Sequence, residues 1–432
     1  MTRGMKNSGI EWIGEIPADW ERTKLLNLLR QSICDGPHET PNLLEEGIPF
    51  ISVDSLNSSE NVDLTKCKKF ISKEDYDRYR IKANIEEHDI LFTKAATIGK
   101  TAIVGKETFM VWSPIAIIKT DNSIAHNKYV YHLLNCSDLI QHISLLGSYN
   151  TQINVGMREL EKAVVPLPPL HEQARIASYL DKRCAEIDAV IAETKCTIEE
   201  YKALRQSIIT KAITKGVRYG RAMKDSGSVW FGDIPAVWNL VRLKYMFHIK
   251  KDIAGREGNT VLSITQKGIV PKNIASNEGQ LAADYSNYQL DEPGDFAMNH
   301  MDLLTGWVDI SKYDGVTSPD YRVFVIDDEA NNKEYYLYMM QMCYFNRIFY
   351  GLGQGVSGMG RWRLQADKFL NFYIAVPPIE EQNEIVDTLK KQLTEMDALI
   401  AAKEQLLTDM EAYKKSVIYE YVTGKKEVPA CQ

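Results

Sequence analysis

The sequence contains an internal repeat with a period of about 210 residues. The stretch SGIEWIGEIPADW, from Ser8 to Trp20, returns as SGSVWFGDIPAVW, from Ser226 to Trp238. Further along, PPLHEQARIASYL from Pro168 returns as PPIEEQNEIVDTL from Pro377. The matches between these stretches keep the same order, and their offset drifts smoothly, as loop insertions and deletions would make it. This period is too long for a solenoid unit, so the chain is predicted to be a duplicated domain pair.

Composition places the chain among ordinary globular proteins. Its 432 residues are 44% hydrophobic and 25% charged, which is enough for two or three domains with proper cores. The sequence has no apolar run long enough to span a membrane and no apolar N-terminal stretch typical of a signal peptide. Its seven cysteines are widely spaced and never form Cys-x-x-Cys, so neither a disulfide framework nor a zinc cluster is predicted. We therefore expect a reduced, cytoplasmic protein without metal.

The formal net charge of −7 argues against a chain that binds nucleic acid unaided, because such domains are usually basic. Basic residues nevertheless cluster locally, which leaves solvated surface charge and nucleic-acid contact both open. The clusters are Lys66, Lys68 and Lys69; Lys250, Lys251 and Arg256; and Arg361 and Arg363.

Each copy of the repeat begins with about 165 residues that are typical of a compact α+β domain. In the first copy, DILFT, TAIVG and IAIIKT predict strands, because they are short apolar runs bounded by turn residues. NKYVYHLLNCSDLIQHIS, from Asn127, predicts one amphipathic helix.

Each copy ends with a predicted long helix that starts after a proline pair. Acidic residues at Glu172, and at Glu380 and Glu381, suit the positive end of the helix dipole. Apolar residues then recur with alternating spacings of four and three, which favours a coiled coil over helices packed separately on their own domains. The predicted core positions are Leu180, Ile187, Ile191, Ile198, Ile208, Leu389, Leu393, Met396, Ile400, Leu407 and Val417.

Chain length predicts how the two helices pair. A helix of about 44 residues spans roughly 66 Å, whereas a connection of about a dozen extended residues reaches at most about 40 Å. Parallel helices would require the chain to return the full helix length, and antiparallel helices would not. We therefore expect a globular domain at each end of an antiparallel pair, related by a pseudo-two-fold axis.

Catalytic signatures are incomplete in this sequence. Gly99-Lys100-Thr101 lacks the upstream glycine of a P-loop, where Lys94 stands, and Gly353, Gly355 and Gly358 lack a surrounding βαβ unit. His171 lacks the second histidine of a zincin, and no Asn-Pro-Pro-aromatic loop of an amino-methyltransferase occurs. The chain is predicted to be non-catalytic.

The doubled Pro-Pro-x-x-Glu-Gln helix starts, the doubled Gly-x-Ile-Pro-x-x-Trp turns and the Ser-Pro pairs before strands together resemble the specificity (S) subunit of type I restriction–modification enzymes. The resemblance covers essentially the full chain. It implies an α+β fold with two duplicated target-recognition domains separated by a two-helix antiparallel coiled coil. The implied segments are an N-terminal recognition domain (1–167), a first conserved helix (168–216), a C-terminal recognition domain (217–376), a second conserved helix (377–424) and a tail (425–432).

The resemblance also implies a function. Each recognition domain of such a subunit reads one half of a split, asymmetric target in double-stranded DNA, and the helices set the gap between the halves. Two methyltransferase (M) subunits dock on the helices and bring S-adenosylmethionine, and nuclease/translocase (R) subunits bring ATP and Mg²⁺. No cofactor and no membrane partner is expected for this chain itself.

Candidate DNA-contacting residues are polar side chains in loops at matching places of the two copies. Arg or Lys suits guanine, and Asn or Gln suits adenine, in the major groove. The candidates are Thr93, Lys94, Thr97, Lys100, Tyr149, Asn150 and Gln152 in the first copy, and Asn299, His300, Thr305, Gln354, Arg361 and Arg363 in the second. Two other functions stay open at this point: a self-contained restriction or modification enzyme, and a coiled-coil scaffold without a DNA role.

Overall fold

The computed structural model describes residues 3–56, 61–149, 153–274, 282, 284–355 and 362–429. It divides into two compact units, which we call unit 1 (Met1–Lys195 with Gln405–Gln432) and unit 2 (Cys196–Glu404). Each unit combines helices with small sheets, so the α+β class is confirmed. The division falls inside two long helices, each of which contributes to both units.

Unit 1 contains strands β1 to β13, helices α1 to α4 and the first part of the long helix α5. The strands are β1 (Met5–Ile10), β2 (Gly14–Pro17), β3 (Glu21–Lys24), β4 (Cys34–Asp35), β5 (Ile48–Ile51), β6 (Phe70–Ile71), β7 (Ile90–Thr93), β8 (Thr101–Ile103), β9 (Met110–Val111), β10 (Ile115–Ile118), β11 (Ser148–Tyr149), β12 (Ile153–Asn154) and β13 (Val164–Leu167). The helices are α1 (Lys73–Tyr79), α2 (Asn127–Leu134), α3 (Ser137–Leu145), α4 (Met157–Lys162) and α5 (Leu170–Lys215).

The central sheet of unit 1 is antiparallel, in the order β4-β10-β7-β8. Alternate side chains of its central strands pack into two different hydrophobic cores. Ile90 and Phe92 pack in the core that includes α2 and α3, while Leu91 packs with β5 and β9 on the opposite face. Because side chains alternate across a strand, burial on both faces explains why β10 is continuously apolar and why β7 is apolar from Ile90 to Phe92.

Unit 2 contains strands β14 to β25, helices α6 to α8 and the first part of the long helix α9, together with the end of α5. The strands are β14 (Met223–Asp225), β15 (Asp233–Pro235), β16 (Asn239–Arg242), β17 (Phe247–Lys250), β18 (Leu262–Thr265), β19 (Gly268–Pro271), β20 (Gln289–Asp291), β21 (Phe296–Met298), β22 (Val308–Ile310), β23 (Gly315–Thr317), β24 (Arg322–Ile326) and β25 (Tyr373–Val376). The helices are α6 (Lys333–Phe345), α7 (Ile348–Leu352), α8 (Ala366–Leu370) and α9 (Ile379–Val422).

The central sheet of unit 2 is antiparallel, in the order β17-β24-β21-β22, which matches the order in unit 1 strand for strand. Phe296 and Phe324 stack at a centroid distance of 5.2 Å, and Phe247 meets both rings edge to face. These rings form the centre of a core that also takes in α6 and the beginning of α9.

The region from Asn127 to Leu145 corrects one prediction. The single predicted helix is two helices, α2 and α3, separated by Asn135 and Cys136. Asn135 Nδ2 donates to the Tyr131 carbonyl at 2.8 Å, and its Oδ1 accepts from the Thr101 hydroxyl at 2.8 Å. These contacts hold Asn135 in place as the end of α2, a local interaction that hydrophobic spacing does not reveal.

The long helices pack against each other inside each unit. In unit 1, Tyr421 contacts Tyr179 through their hydroxyls at 3.2 Å, and Lys414 Nζ lies 2.6 Å from Asp188. Because numbering rises along α5 as it falls along α9, the two segments run antiparallel within this unit. In unit 2, Arg205 Nε donates to Asp397 at 2.8 Å.

The predicted core positions of both long helices are buried or half-buried. The buried ones are Leu180, Ile187, Ile198, Leu389, Leu393, Met396 and Val417, and the half-buried ones are Ile191, Ile208, Ile400 and Leu407.

Candidate nucleic-acid interface

The repeated tryptophan turn of unit 1 is bound to the first turn of α5. Trp20 is fully buried, and its Nε1 donates to Glu172 Oε2 at 2.9 Å. Arg3 donates to the same oxygen at 2.8 Å and lies over the Trp20 ring, 5.4 Å from its centroid. Burial alone would raise the pKa of Glu172, but the hydrogen bonds from Arg3 and Trp20 hold it below its usual range.

Unit 2 repeats this arrangement with different residue numbers. Trp238 Nε1 donates to Glu381 Oε2 at 2.9 Å, and Arg221 pairs with the other oxygen while it lies 5.3 Å from the Trp238 ring centroid. The Glu381 side chain is only 1% exposed. We call each set of Trp, Glu and Arg a Trp–Glu–Arg cluster. The sequence predicted a dipole role for these glutamates, and the structure adds direct partners for both.

Sequence reasoning missed the arginines of the two clusters. Arg3 and Arg221 are separated by the same offset of 218 as the tryptophan turns, so the repeat itself carried a signal that could have found them.

The glutamine that follows each of these glutamates is fully buried and joins the long helix to a shorter one. Gln173 accepts from the His126 amide at 2.8 Å, directly before α2, and donates to the Pro168 carbonyl at 2.9 Å. Gln382 accepts from the Asn332 amide at 2.9 Å, directly before α6, and donates to the Pro377 carbonyl at 3.1 Å. The repeated glutamine therefore fixes the shorter helix of each unit, α2 or α6, on the start of a long helix.

The predicted loops of unit 1 lie next to each other. The loop after β7 meets the segment at β12 through a hydrogen bond from the Val155 amide to the Lys94 carbonyl, at 2.9 Å. Ala95 also forms a β-bridge with Asn154. The backbones of two distant stretches of sequence thus meet in this unit.

Two of the candidate residues at the end of β7 and in the loop after it are buried. Thr93 is fully buried, and its hydroxyl donates to the Thr97 carbonyl while it accepts from the Lys100 amide at 2.9 Å. Lys94 is buried and lies 3.2 Å from the carboxylate of Asp35. The prediction of direct DNA contact is therefore corrected for both: their side chains hold the loop in shape.

Thr97 and Lys100 lie further out in the same loop. Thr97 is exposed, whereas Lys100 is half-buried and its ammonium donates to the Val53 carbonyl at 3.3 Å. Tyr149 belongs to β11, and Asn150 and Gln152 lie outside the described residues.

The predicted loops of unit 2 also lie next to each other. The Leu364 amide donates to the His300 carbonyl at 2.9 Å, which matches the bond from Val155 to Lys94 in unit 1. Gln354 and Arg363 are joined by a pair of backbone hydrogen bonds of 2.9 and 3.0 Å. The same junction of two loops therefore occurs in each unit, although the side chains that it carries differ.

Among the candidate side chains of unit 2, one stabilises the loop and others are exposed to solvent. Asn299 Oδ1 accepts from the Met301 and Asp302 amides at 3.1 and 3.2 Å, so it stabilises the loop turn. Thr305, Gln354 and Arg363 are exposed. Arg361 lies outside the described residues.

His300 is half-buried beside two arginines. Burial, together with the charges of Arg322 and Arg363, lowers its pKa to about 3. The imidazole is therefore neutral at pH 7, and its buried Nδ1 has no hydrogen-bond partner among the described residues. Arg322 is buried as well, and one of its amino groups donates to the Leu364 carbonyl at 2.9 Å, which holds the junction of the two loops.

In the described ranges, no group of three or more His, Cys, Asp or Glu side chains could hold a metal ion. None of the helices in these ranges is long and apolar enough to cross a membrane.

Comparison with known proteins agrees with this architecture. The family model for the type I restriction modification DNA specificity domain matches residues 18–200 and again residues 235–409. The MjaVIII specificity subunit of a type I restriction enzyme from Methanocaldococcus jannaschii is 24% identical, over 96% of this chain and 94% of its own length. A solved structure from work on complex assembly and conformational transition of the type I R-M system has a TM-score of 0.67 at 15% identity, and covers 95% of this chain and 99% of that chain.

The family model matches both halves of the repeat, and each match takes in the buried tryptophan (Trp20 or Trp238), the paired loops and most of the long helix described above. The chain therefore belongs to the type I restriction–modification DNA specificity family and is a specificity subunit.

Proposed function

We propose that this chain is a non-catalytic DNA-reading subunit in which each recognition domain contacts one half of a split, asymmetric target. The observation that carries the proposal is the junction of two loops in each unit. It is built by the same backbone hydrogen bond, between Val155 and Lys94 and between Leu364 and His300, but it carries different side chains. Two different half-sites would require the same backbone arrangement with different exposed hydrogen-bond donors and acceptors.

We further propose that α5 and α9 form an antiparallel coiled coil with pseudo-two-fold symmetry, which sets the gap between the half-sites. Support comes from the antiparallel contacts inside unit 1 and from two ion pairs at matching positions. Lys414 pairs with Asp188, and Arg205 pairs with Asp397, which is the same pair shifted by 209 residues in each partner. A rod of about 66 Å would bridge roughly two turns of DNA.

We also propose that this chain acts together with other protein subunits. Two methyltransferase subunits would dock on the long helices and supply S-adenosylmethionine, and nuclease/translocase subunits would supply ATP and Mg²⁺, so that this chain needs no cofactor. The net charge of −7 supports a chain that binds DNA weakly and in a salt-sensitive way on its own. The complex would act in the cytoplasm, where its DNA substrate lies.

The test is to co-express the chain with a cognate methyltransferase subunit and to map methylation on random-sequence DNA. We expect modification of a split motif only when both chains are present. Modification or cleavage by this chain alone would replace the proposal with a self-contained enzyme. Absence of DNA binding in the assembled complex would replace it with a protein scaffold.

A further inference from the structure

A polar cavity of about 570 Å³ lies in unit 2, between α5, the turn from β18 to β19, the loop before β22 and the end of α6. Its lining carries three cationic side chains, Arg205, Lys267 and Arg347, against one carboxylate, that of Asp309. The Asp309 oxygens accept from the Ile269 amide at 3.2 Å and from the Ile310 amide at 2.9 Å. The cavity therefore has an excess of positive charge.

Two of the three cations have no partner among the described residues. Arg205 is already committed to Asp397. Among the described residues, however, the Lys267 ammonium and the Arg347 guanidinium have no ion pair and no hydrogen bond, and both residues are exposed. Arg347 also has a φ of 56°, in the left-handed region that costs a non-glycine residue of order 1 kcal/mol.

The cavity is continuous with the candidate DNA interface. Leu304, Gly306 and Trp307 line it, and they follow His300 in the loop after β21. Gln266 Nε2 donates to the Thr305 carbonyl at 3.2 Å, which ties the cavity wall to a loop that is predicted to contact DNA.

We propose that this cavity binds the sugar-phosphate backbone of DNA beside the half-site that unit 2 contacts, with Lys267 and Arg347 on a phosphate. The inference rests on the proposed function and adds a backbone-positioning site to it. Two cationic side chains without a partner, next to polar amides, would bind a phosphate group. The cavity volume is large enough for the adjoining sugar. Such a contact adds affinity and register without reading sequence.

The experiment uses Lys267→Gln, Arg347→Gln and the double variant, each in complex with the cognate methyltransferase subunit. Lys224→Gln is the matched control, because Lys224 is an exposed lysine of unit 2 in β14, outside the cavity. Binding of a target duplex and of a scrambled duplex is measured by fluorescence anisotropy across a series of salt concentrations. Thermal melts check that the exposed substitutions leave folding unchanged.

The double variant should reduce the slope of log affinity against log salt by about 0.9, because it removes one phosphate contact, and weaken binding about five-fold at 0.15 M salt; each single variant should have a smaller effect. The loss should be equal for both duplexes, and the control should match the wild type. Unchanged slopes in a complex that binds DNA would overturn this inference and leave the proposed function standing. Loss confined to the target duplex would make these residues base readers, and loss of the methyltransferase with an unchanged slope would make the cavity a site for an acidic protein surface.

A wild-type complex without affinity for either duplex would remove the proposed function, and this inference with it.

Discussion

Unit 1 and unit 2 share the contacts at the starts of their long helices, and they differ in the side chains that their loops carry. The Trp–Glu–Arg clusters, the buried glutamines and the backbone bond between the loops recur at matching positions. By contrast, Lys94 of unit 1 is buried beside Asp35, whereas the matching His300 is neutral and lies between arginines. The contacts at the starts of the long helices are therefore common to both units, whereas the side chains of the paired loops are not.

The largest expected effect comes from breaking a Trp–Glu–Arg cluster. Glu381→Ala should cost about 3–5 kcal/mol of unfolding free energy, because it leaves the buried Trp238 indole and the half-buried Arg221 without their shared acceptor. Glu172→Ala should cost less, because the Glu172 side chain is 13% exposed. Urea unfolding followed by tryptophan fluorescence measures both values. Glu384→Ala is the control: that side chain is 47% exposed and should cost less than about 1 kcal/mol. An equal cost for the control would contradict the cluster's role.

The next prediction concerns the pH dependence of stability, which should differ between the two units. Asp291 in unit 2 is fully buried, and Ser311 and Lys250 only partly favour its charged form. Burial, and then the charge of Asp295, raises its pKa to about 7. The matching position in unit 1 holds Ile85. Between the unfolded pKa near 4 and pH 7 the folded chain keeps a proton that the unfolded chain releases, so stability falls by about 1.4 kcal/mol per pH unit from this group.

Asp291→Asn should flatten that slope and stabilise unit 2 above pH 7. Thermal melts of the wild type and the variant between pH 4.5 and 8 measure it. Parallel curves for the two proteins would show that Asp291 does not titrate in this range.

A smaller effect tests whether each unit contacts its own half-site. Thr93→Val removes the hydroxyl that holds the loop after β7 and should cost about 1–3 kcal/mol. It should also relax base discrimination in one half-motif, and Asn299→Ala should do so in the other half. Methylation rates on duplexes with single base changes distinguish the two. Thr101→Val, which loses a buried hydrogen bond to Asn135 outside the loop, should leave discrimination unchanged. Relaxation of the same half by both loop variants would refute the division of labour.

The smallest effect concerns the matching ion pairs of the long helices. Asp188 and Asp397 are each more than half exposed, so Asp188→Asn and Asp397→Asn should each cost less than about 1 kcal/mol, and less still at high salt. Urea unfolding at two salt concentrations measures both. A cost above about 2 kcal/mol in either variant would show that the pair is a main support of the helix packing.

The sequence predicted the fold class and the long helices better than the positions of the loop side chains, and the reason is physical. Repeats and apolar spacing depend on the core, so the α+β class and the starts of α5 and α9 near the proline pairs followed from them. The break between α2 and α3 depends on the side-chain bonds of Asn135, which no periodicity encodes. Burial of Thr93 and Lys94 depends on contacts with residues elsewhere in the chain, so residue type alone placed them wrongly at the surface.

The most direct test of the account is to shorten both long helices by one matched heptad, residues 193–199 and 402–408, and to map the methylated motif in complex with the methyltransferase subunit. Seven residues correspond to about 10 Å of helix, or about three base pairs of DNA, and removal of a whole heptad keeps the apolar face in register. We predict a gap that is shorter by about three base pairs between two unchanged half-motifs. Altered half-motifs, or modification that persists at the original gap, would contradict the claim that spacing and base contact belong to separate parts of this chain.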